Sequence, residues 1–117
     1  MAITVTSTKG ITTTSRLAGM QGEESVELDF AFDGTLTTYA TGKYTYVEFL
    51  TSDGRVIEKG DYDASGGTFT VTILASDGIL NTDSELRIQV VIRDAAEPAT
   101  SSTWKSQILD LIVGKSI

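Results

Sequence analysis

The sequence contains no cysteine and no histidine among its 117 residues. Disulfides, zinc–thiolate centres, Cys–His nucleophiles, Ser–His–Asp triads and imidazole acid–base chemistry are therefore excluded. Basic residues are scarce as well, with 9 Lys and Arg against 16 Asp and Glu and a net charge of -7. Gripping nucleic-acid phosphate needs the opposite sign, so no DNA or RNA partner is expected. Long apolar runs are missing too. The longest cluster, Ile88 to Ile92, is broken by Gln89, far short of the roughly eighteen residues that cross a bilayer as a helix. No membrane partner is expected from this. Met1 to Thr6 has neither the basic nor the apolar region of a secretory signal, so synthesis in the cytoplasm is expected. The lack of Cys fits a reducing compartment.

Apolar residues make up 40% and charged residues 21% of the chain, an ordinary globular composition. A chain of this length buries enough surface for one core, so residues 1–117 read as a single domain. Proline occurs once, at Pro98, whereas Gly and Thr are spread throughout. Thr, Val, Ile, Tyr and Phe fit a pleated, half-buried surface.

Period two runs through most of the chain. Ile3 and Val5 alternate with Thr. Val26, Leu28, Phe30 and Phe32 alternate with Glu27 and Asp29, and Phe69, Val71 and Ile73 with Thr. Leu86, Ile88, Val90 and Ile92 alternate with Arg87, Gln89 and Arg93. In Tyr44 to Leu50, Val47 and Phe49 face inward and Tyr44, Tyr46 and Glu48 outward. The last segment, Lys105 to Val113, sets Leu109, Leu111 and Val113 on one face and Ile108 and Ile112 on the other. Such repetition predicts strands and not helices.

Asp33-Gly34, Asp53-Gly54 and Asp77-Gly78 follow apolar stretches and read as tight turns, because Gly accepts positive φ and Asp tolerates it. Asp53-Gly54 is expected to close a hairpin, and Ser65-Gly66-Gly67 marks another reversal. Residues 75–84 read as a loop and residues 94–103 as a polar loop or arm. Residues 1–19 read as an N-terminal strand or arm. The sum predicts an all-β fold, an antiparallel immunoglobulin-like β-sandwich of about seven strands.

Chemistry-bearing patterns are weak. Asp61-Tyr62-Asp63-Ala64-Ser65-Gly66 mimics the opening of an EF-hand loop, but Thr72 stands where the bidentate Glu belongs, so an acidic hairpin tip is the favoured reading. Glu27, Asp29, Glu48, Glu58, Asp61 and Asp63 could supply a carboxylate pair for glycoside hydrolysis only across a cleft, and alternation puts most of them on solvated faces. Ala18 to Gly22 is glycine-spaced but opens no helix, so phosphate cradling is not expected. Tyr39, Tyr44, Tyr46 and Tyr62 with Trp104 form either a stacking platform for sugar rings or ordinary cross-strand packing, the favoured reading. No metal and no cofactor is called for.

From Met20 to Ile117 the chain resembles the N-terminal β-sandwich domain of upper baseplate and tail-fibre-type proteins of siphophages and prophages of Gram-positive bacteria. Gln21 to Phe30 resembles that family's opening turn and strand, Val47 to Ile57 its central hairpin, and Gly67 to Ile73 its next strand. Gly78 to Leu80 and Leu86 to Ile92 are similar to its penultimate strand. Trp104-Lys105-Ser106 leading into Leu111-Ile112-Val113 and Ser116-Ile117 resembles its closing element. The resemblance implies virion structural work without catalysis: multimerising in the baseplate or tail tip, with other tail proteins as partners, and holding a receptor-binding or fibre component. The family usually continues into a helical linker and a receptor-binding or fibre part, so the chain is expected to be either one domain of a longer polypeptide or a short relative. Sandwich edges can accept a neighbour's strand, and the expected contacts are the Ile3–Val5 strand, Trp104, and the outer-face Ile108 and Ile112. Trp104 fits equally an interface anchor and a core residue. The alternative function is a carbohydrate-binding sandwich recognising host-surface glycans, and a weaker one a calcium-dependent adhesion module.

Overall fold

The computed structural model describes residues 1–80, 85–94 and 103–115. Ten strands and one short helix follow in order: β1 (Ala2–Val5), β2 (Ile11–Thr13), β3 (Leu17–Met20), β4 (Ser25–Phe32), α1 (Gly34–Ala40), β5 (Tyr44–Thr51), β6 (Val56–Tyr62), β7 (Thr68–Leu74), β8 (Glu85–Arg93), β9 (Thr103–Lys105) and β10 (Leu109–Gly114). One sheet has the order β2-β1-β4-β7; the other has β3-β10-β8-β5-β6, with β9 also pairing β8. β9 and β10 lie one after the other along the same flank of β8, β10 opposite residues 85–88 and β9 opposite 91–93.

Alternation decides which face of each strand is dry. Leu28 and Phe30 on β4, Val47 and Phe49 on β5, Val71 and Ile73 on β7, and Leu86, Ile88, Val90 and Ile92 on β8 are all essentially inaccessible. Phe30 and Phe69 are register partners and stack with centroids 5.0 Å apart, while Phe32 meets Phe69 edge-on at 5.4 Å. Tyr62 stacks on the same Phe69 ring at 5.3 Å, so one aromatic cluster ties β4, β6 and β7 together.

The two-sheet all-β architecture is the one expected, and three features depart from the finer expectation. First, among the described residues the strands number ten, and each sheet holds one parallel pairing, β1 with β4 and β10 with β3. Parallel neighbours need a crossover. The chain supplies it by leaving the first sheet after β2, laying β3 along the second, and returning as β4. Second, residues 1–19, read as a strand or arm, form three strands, contributing β1, β2 and most of β3 to the two sheets. Third, Asp33-Gly34 starts helix α1 instead of a tight turn. The Asp33 carboxylate caps the helix by accepting from the Leu36 N–H at 2.7 Å, and it also takes the Ser7 N–H at 2.8 Å. Thr37, Thr38 and Thr41 bond back to carbonyls one turn earlier, and Leu36 and Ala40 turn into the core.

The Asp53-Gly54 hairpin forms as expected between β5 and β6, with Gly54 at φ 87°. Residues 75–77 make a single 3₁₀ turn ending at Gly78, φ 74°. Positions 81–84, most of the polar 94–103 segment, and Ser116-Ile117 lie outside the described residues.

Candidate interface surfaces

Ile3 and Val5 are core residues, 1% and 0% exposed. β1 has β2 on one side and β4 on the other, so its backbone groups are taken up within the sheet. Trp104 is half-buried, sits opposite Ile92 in the ladder and packs against the core. Its ring lies 6.5 Å from that of Tyr39 at a 47° tilt, and the Lys43 ammonium sits 4.3 Å from the Tyr39 centroid. Ile108 and Ile112 are each 48% exposed.

Ile112 is the register partner of Leu17 on β3, itself half exposed. Met20 is exposed too, and a Cβ at Gly114 would stand 2.5 Å from its Sδ and 3.4 Å from Leu17 Cδ1. Leu17, Met20 and Ile112 thus form an apolar strip along the β3–β10 pair. Sequence reasoning found Ile112 but missed Leu17 and Met20, because the short, glycine-containing β3 shows no period.

The candidate sugar platform is divided among separate surroundings. Tyr62 belongs to the Phe69 cluster, and burial raises its hydroxyl pKa, with the Asp77 charge adding to the rise. Tyr46 lies flat over Gly60, where a Cβ would come 2.3 Å from its Cδ1. The Arg93 guanidinium covers Tyr46 at 4.6 Å from the ring centroid. Arg93 also reaches Glu58 with two parallel hydrogen bonds of 2.9 and 2.7 Å. That fork binds carboxylate geometry well, and it holds Arg93 in its charged form, pKa raised chiefly by the Glu58 hydrogen bonds.

The acidic candidates are drawn into local structure. Glu48 and Glu58 face each other across β5 and β6, but Glu58 is committed to Arg93. Asp29 accepts from Thr70 Oγ1 at 2.8 Å. Asp61 accepts from the Thr45 N–H at 2.9 Å, and Asp63 accepts from the Ser65 N–H and hydroxyl. These contacts describe a hairpin tip, and no cluster of three metal-ligating side chains occurs among the described residues. A groove of about 400 Å³ runs between Leu50, Val56, Arg55, Glu85 and Arg87. Its arginines are engaged, Arg55 with Asp53 and the Gly78 carbonyl, Arg87 with Glu85 and Asp110.

Among the described residues five strands stand at sheet edges: β2, β7, β3, β6 and the short β9, which pairs only β8. β7 is capped at one end. Lys59 Nζ donates to the Thr72 carbonyl at 2.7 Å and to Asp77 at 2.6 Å, and Asp77 accepts the Leu74 N–H at 2.7 Å. Burial alone would raise the Asp77 pKa, but the Lys59 and Leu74 hydrogen bonds outweigh it and hold the carboxyl below its usual value. β2 is three residues long, and β3 is four with an irregular register. β6 is seven residues long, as is β7, with Val56 63% exposed at its start.

This two-sheet arrangement has a solved counterpart. The chain shares its fold with the N-terminal domain of phage TP901-1 ORF48. The superposition covers 97% of each chain at a TM-score of 0.66, with 16% sequence identity. No family model matches the sequence, and no curated protein matches it. At this identity the likeness concerns the fold alone.

Proposed function

We propose that this chain is a non-enzymatic structural module of a phage virion, seated in the baseplate or tail tip, that multimerises and attaches a receptor-binding or fibre component. The observation that carries this reading is the end-to-end fold match to a phage protein domain. The family resemblance in the Gln21–Phe30, Val47–Ile57 and Trp104–Val113 segments points the same way. Surface physics supports docking as the mode of action. An exposed Leu17, Met20 and Ile112 strip and a sheet edge that is uncapped among the described residues are the kinds of surface that neighbours cover.

The test is immunogold electron microscopy of virions from the phage or induced prophage that encodes the chain. Gold confined to the tail tip is expected. Unlabelled virions, in a preparation where the antibody detects the chain in the infected-cell lysate, would refute the reading.

A further inference from the structure

The β5–β6 hairpin fixes which backbone groups β6 leaves over. The Thr51 N–H bonds the Arg55 carbonyl at 3.0 Å, so Thr51 and Arg55 are a hydrogen-bonded pair. Such pairs alternate along an antiparallel ladder. The register Phe49 with Ile57 and Val47 with Lys59 therefore carries the next two. It follows that the N–H and C=O groups of Val56, Glu58 and Gly60 point away from β5. On that side β6 has no strand neighbour among the described residues.

We propose that two copies of this chain join β6 to β6 antiparallel about a two-fold axis, making their larger sheets continuous. The inference deepens the multimerisation proposed above and rests on that reading. Strand addition satisfies open backbone groups on both copies at once, and a two-fold uses the same patch twice.

The side chains fit one register. With Glu58 on the axis, Val56 faces Gly60 of the partner subunit. The most exposed large apolar side chain thereby lies over the one β6 position that has none, beside the Tyr46 ring. Like charges meeting on an axis are unfavourable, but each Glu58 is already bound through two N–H groups of its own Arg93. The antiparallel sense also sets the Arg55 end of one strand beside the Asp61 end of the other, bringing opposite charges together. The other edges offer less: β2, β3 and β9 are short, and Lys59 with Asp77 occupies two backbone groups of β7.

Light scattering of the purified chain over a wide concentration range tests this, together with hydrogen exchange. Val56 opens the strand, where proline is tolerated, and its N–H points outward. Val56→Pro therefore removes an intermolecular donor and leaves the β5 ladder intact. Val56→Lys is a second variant that places charge on the edge without touching the backbone. The wild-type chain is expected at twice its monomer mass, with amide protection of Val56, Glu58 and Gly60 rising with concentration. Both Val56 variants should be monomers with wild-type circular dichroism, and Ile112→Asp should remain a dimer. A wild-type monomer at every concentration overturns the pairing. So does a dimer that survives both Val56 substitutions, or one that Ile112→Asp dissociates. In the last two cases the chain still multimerises and the virion reading stands on its own labelling test.

Discussion

Gly60→Ala is the substitution for which the structure works out a cost most directly. An alanine Cβ at this position would stand 2.3 Å from Cδ1 of Tyr46 and 3.0 Å from two further ring atoms. Ordinary carbon contacts sit at about 3.5–4.0 Å, so the ring or the strand must give by more than an ångström. The ring has little freedom, because Arg93 lies over it at 4.6 Å and is itself held by two hydrogen bonds to Glu58. Gly60 is not at positive φ, so the cost that the structure shows is the clash. Overpacking of this kind costs about 1–3 kcal/mol. For a domain of this size that lowers Tm by roughly 4–12 °C. Urea titrations at low protein concentration, comparing midpoints at unchanged slope, read the value. The decisive measurement is the double-mutant cycle with Tyr46→Ala. With the ring gone, Gly60→Ala should become nearly neutral, giving a coupling of about 1 kcal/mol or more. Equal cost in both backgrounds would refute the account of Tyr46 as a lid over a bare glycine.

Two further outcomes follow from the core and from the charges. Phe49 and Ile88 are register partners at the centre of the larger sheet and both 0% exposed. Phe49→Ala should cost about 3–5 kcal/mol in urea unfolding, and a loss below about 1 kcal/mol would contradict its central place in the core. The Asp33 carboxyl is held below its ordinary value of 3.8 by the Ser7 N–H first and the Leu36 N–H next. A depressed carboxyl stabilises the fold above the unfolded pKa, and that contribution is lost as pH falls through the folded value. Tm should therefore hold steady above about pH 5 and fall below about pH 4. Asp33→Asn keeps a capping side chain and should flatten that acid limb. An unchanged limb would remove Asp33 from the explanation.

Much of this fold was legible in the residues. Alternation in Val26–Phe32, Phe69–Ile73 and Leu86–Ile92 fixed the strands and their dry faces, because a pleated chain turns every second side chain the same way whatever it packs against. Asp53-Gly54 marked its hairpin for an equally local reason, the positive φ that Gly supplies. Helix α1 was hidden because Gly34 to Ala40 opens on a Gly and holds three Thr, both poor helix formers. Its one signal was an N-capping Asp33 that looked like half of a turn. Ile112 could be assigned to an outer face, but its partners Leu17 and Met20 come from a strand nearly a hundred residues earlier that carries no period.

The linear order of residues determined local conformation, inside and outside, and the exclusion of thiol and imidazole chemistry, since each depends on side-chain type and spacing along the chain. Strand neighbours were decided only by the tertiary structure. It buried Ile3 and Val5 by setting β1 between β2 and β4, stacked Arg93 on Tyr46, and capped β7 while leaving β6 without an outer strand neighbour among the described residues. The physical reason is that a strand's backbone groups are the same in every sequence, so which edge is satisfied depends on what folding brings beside it.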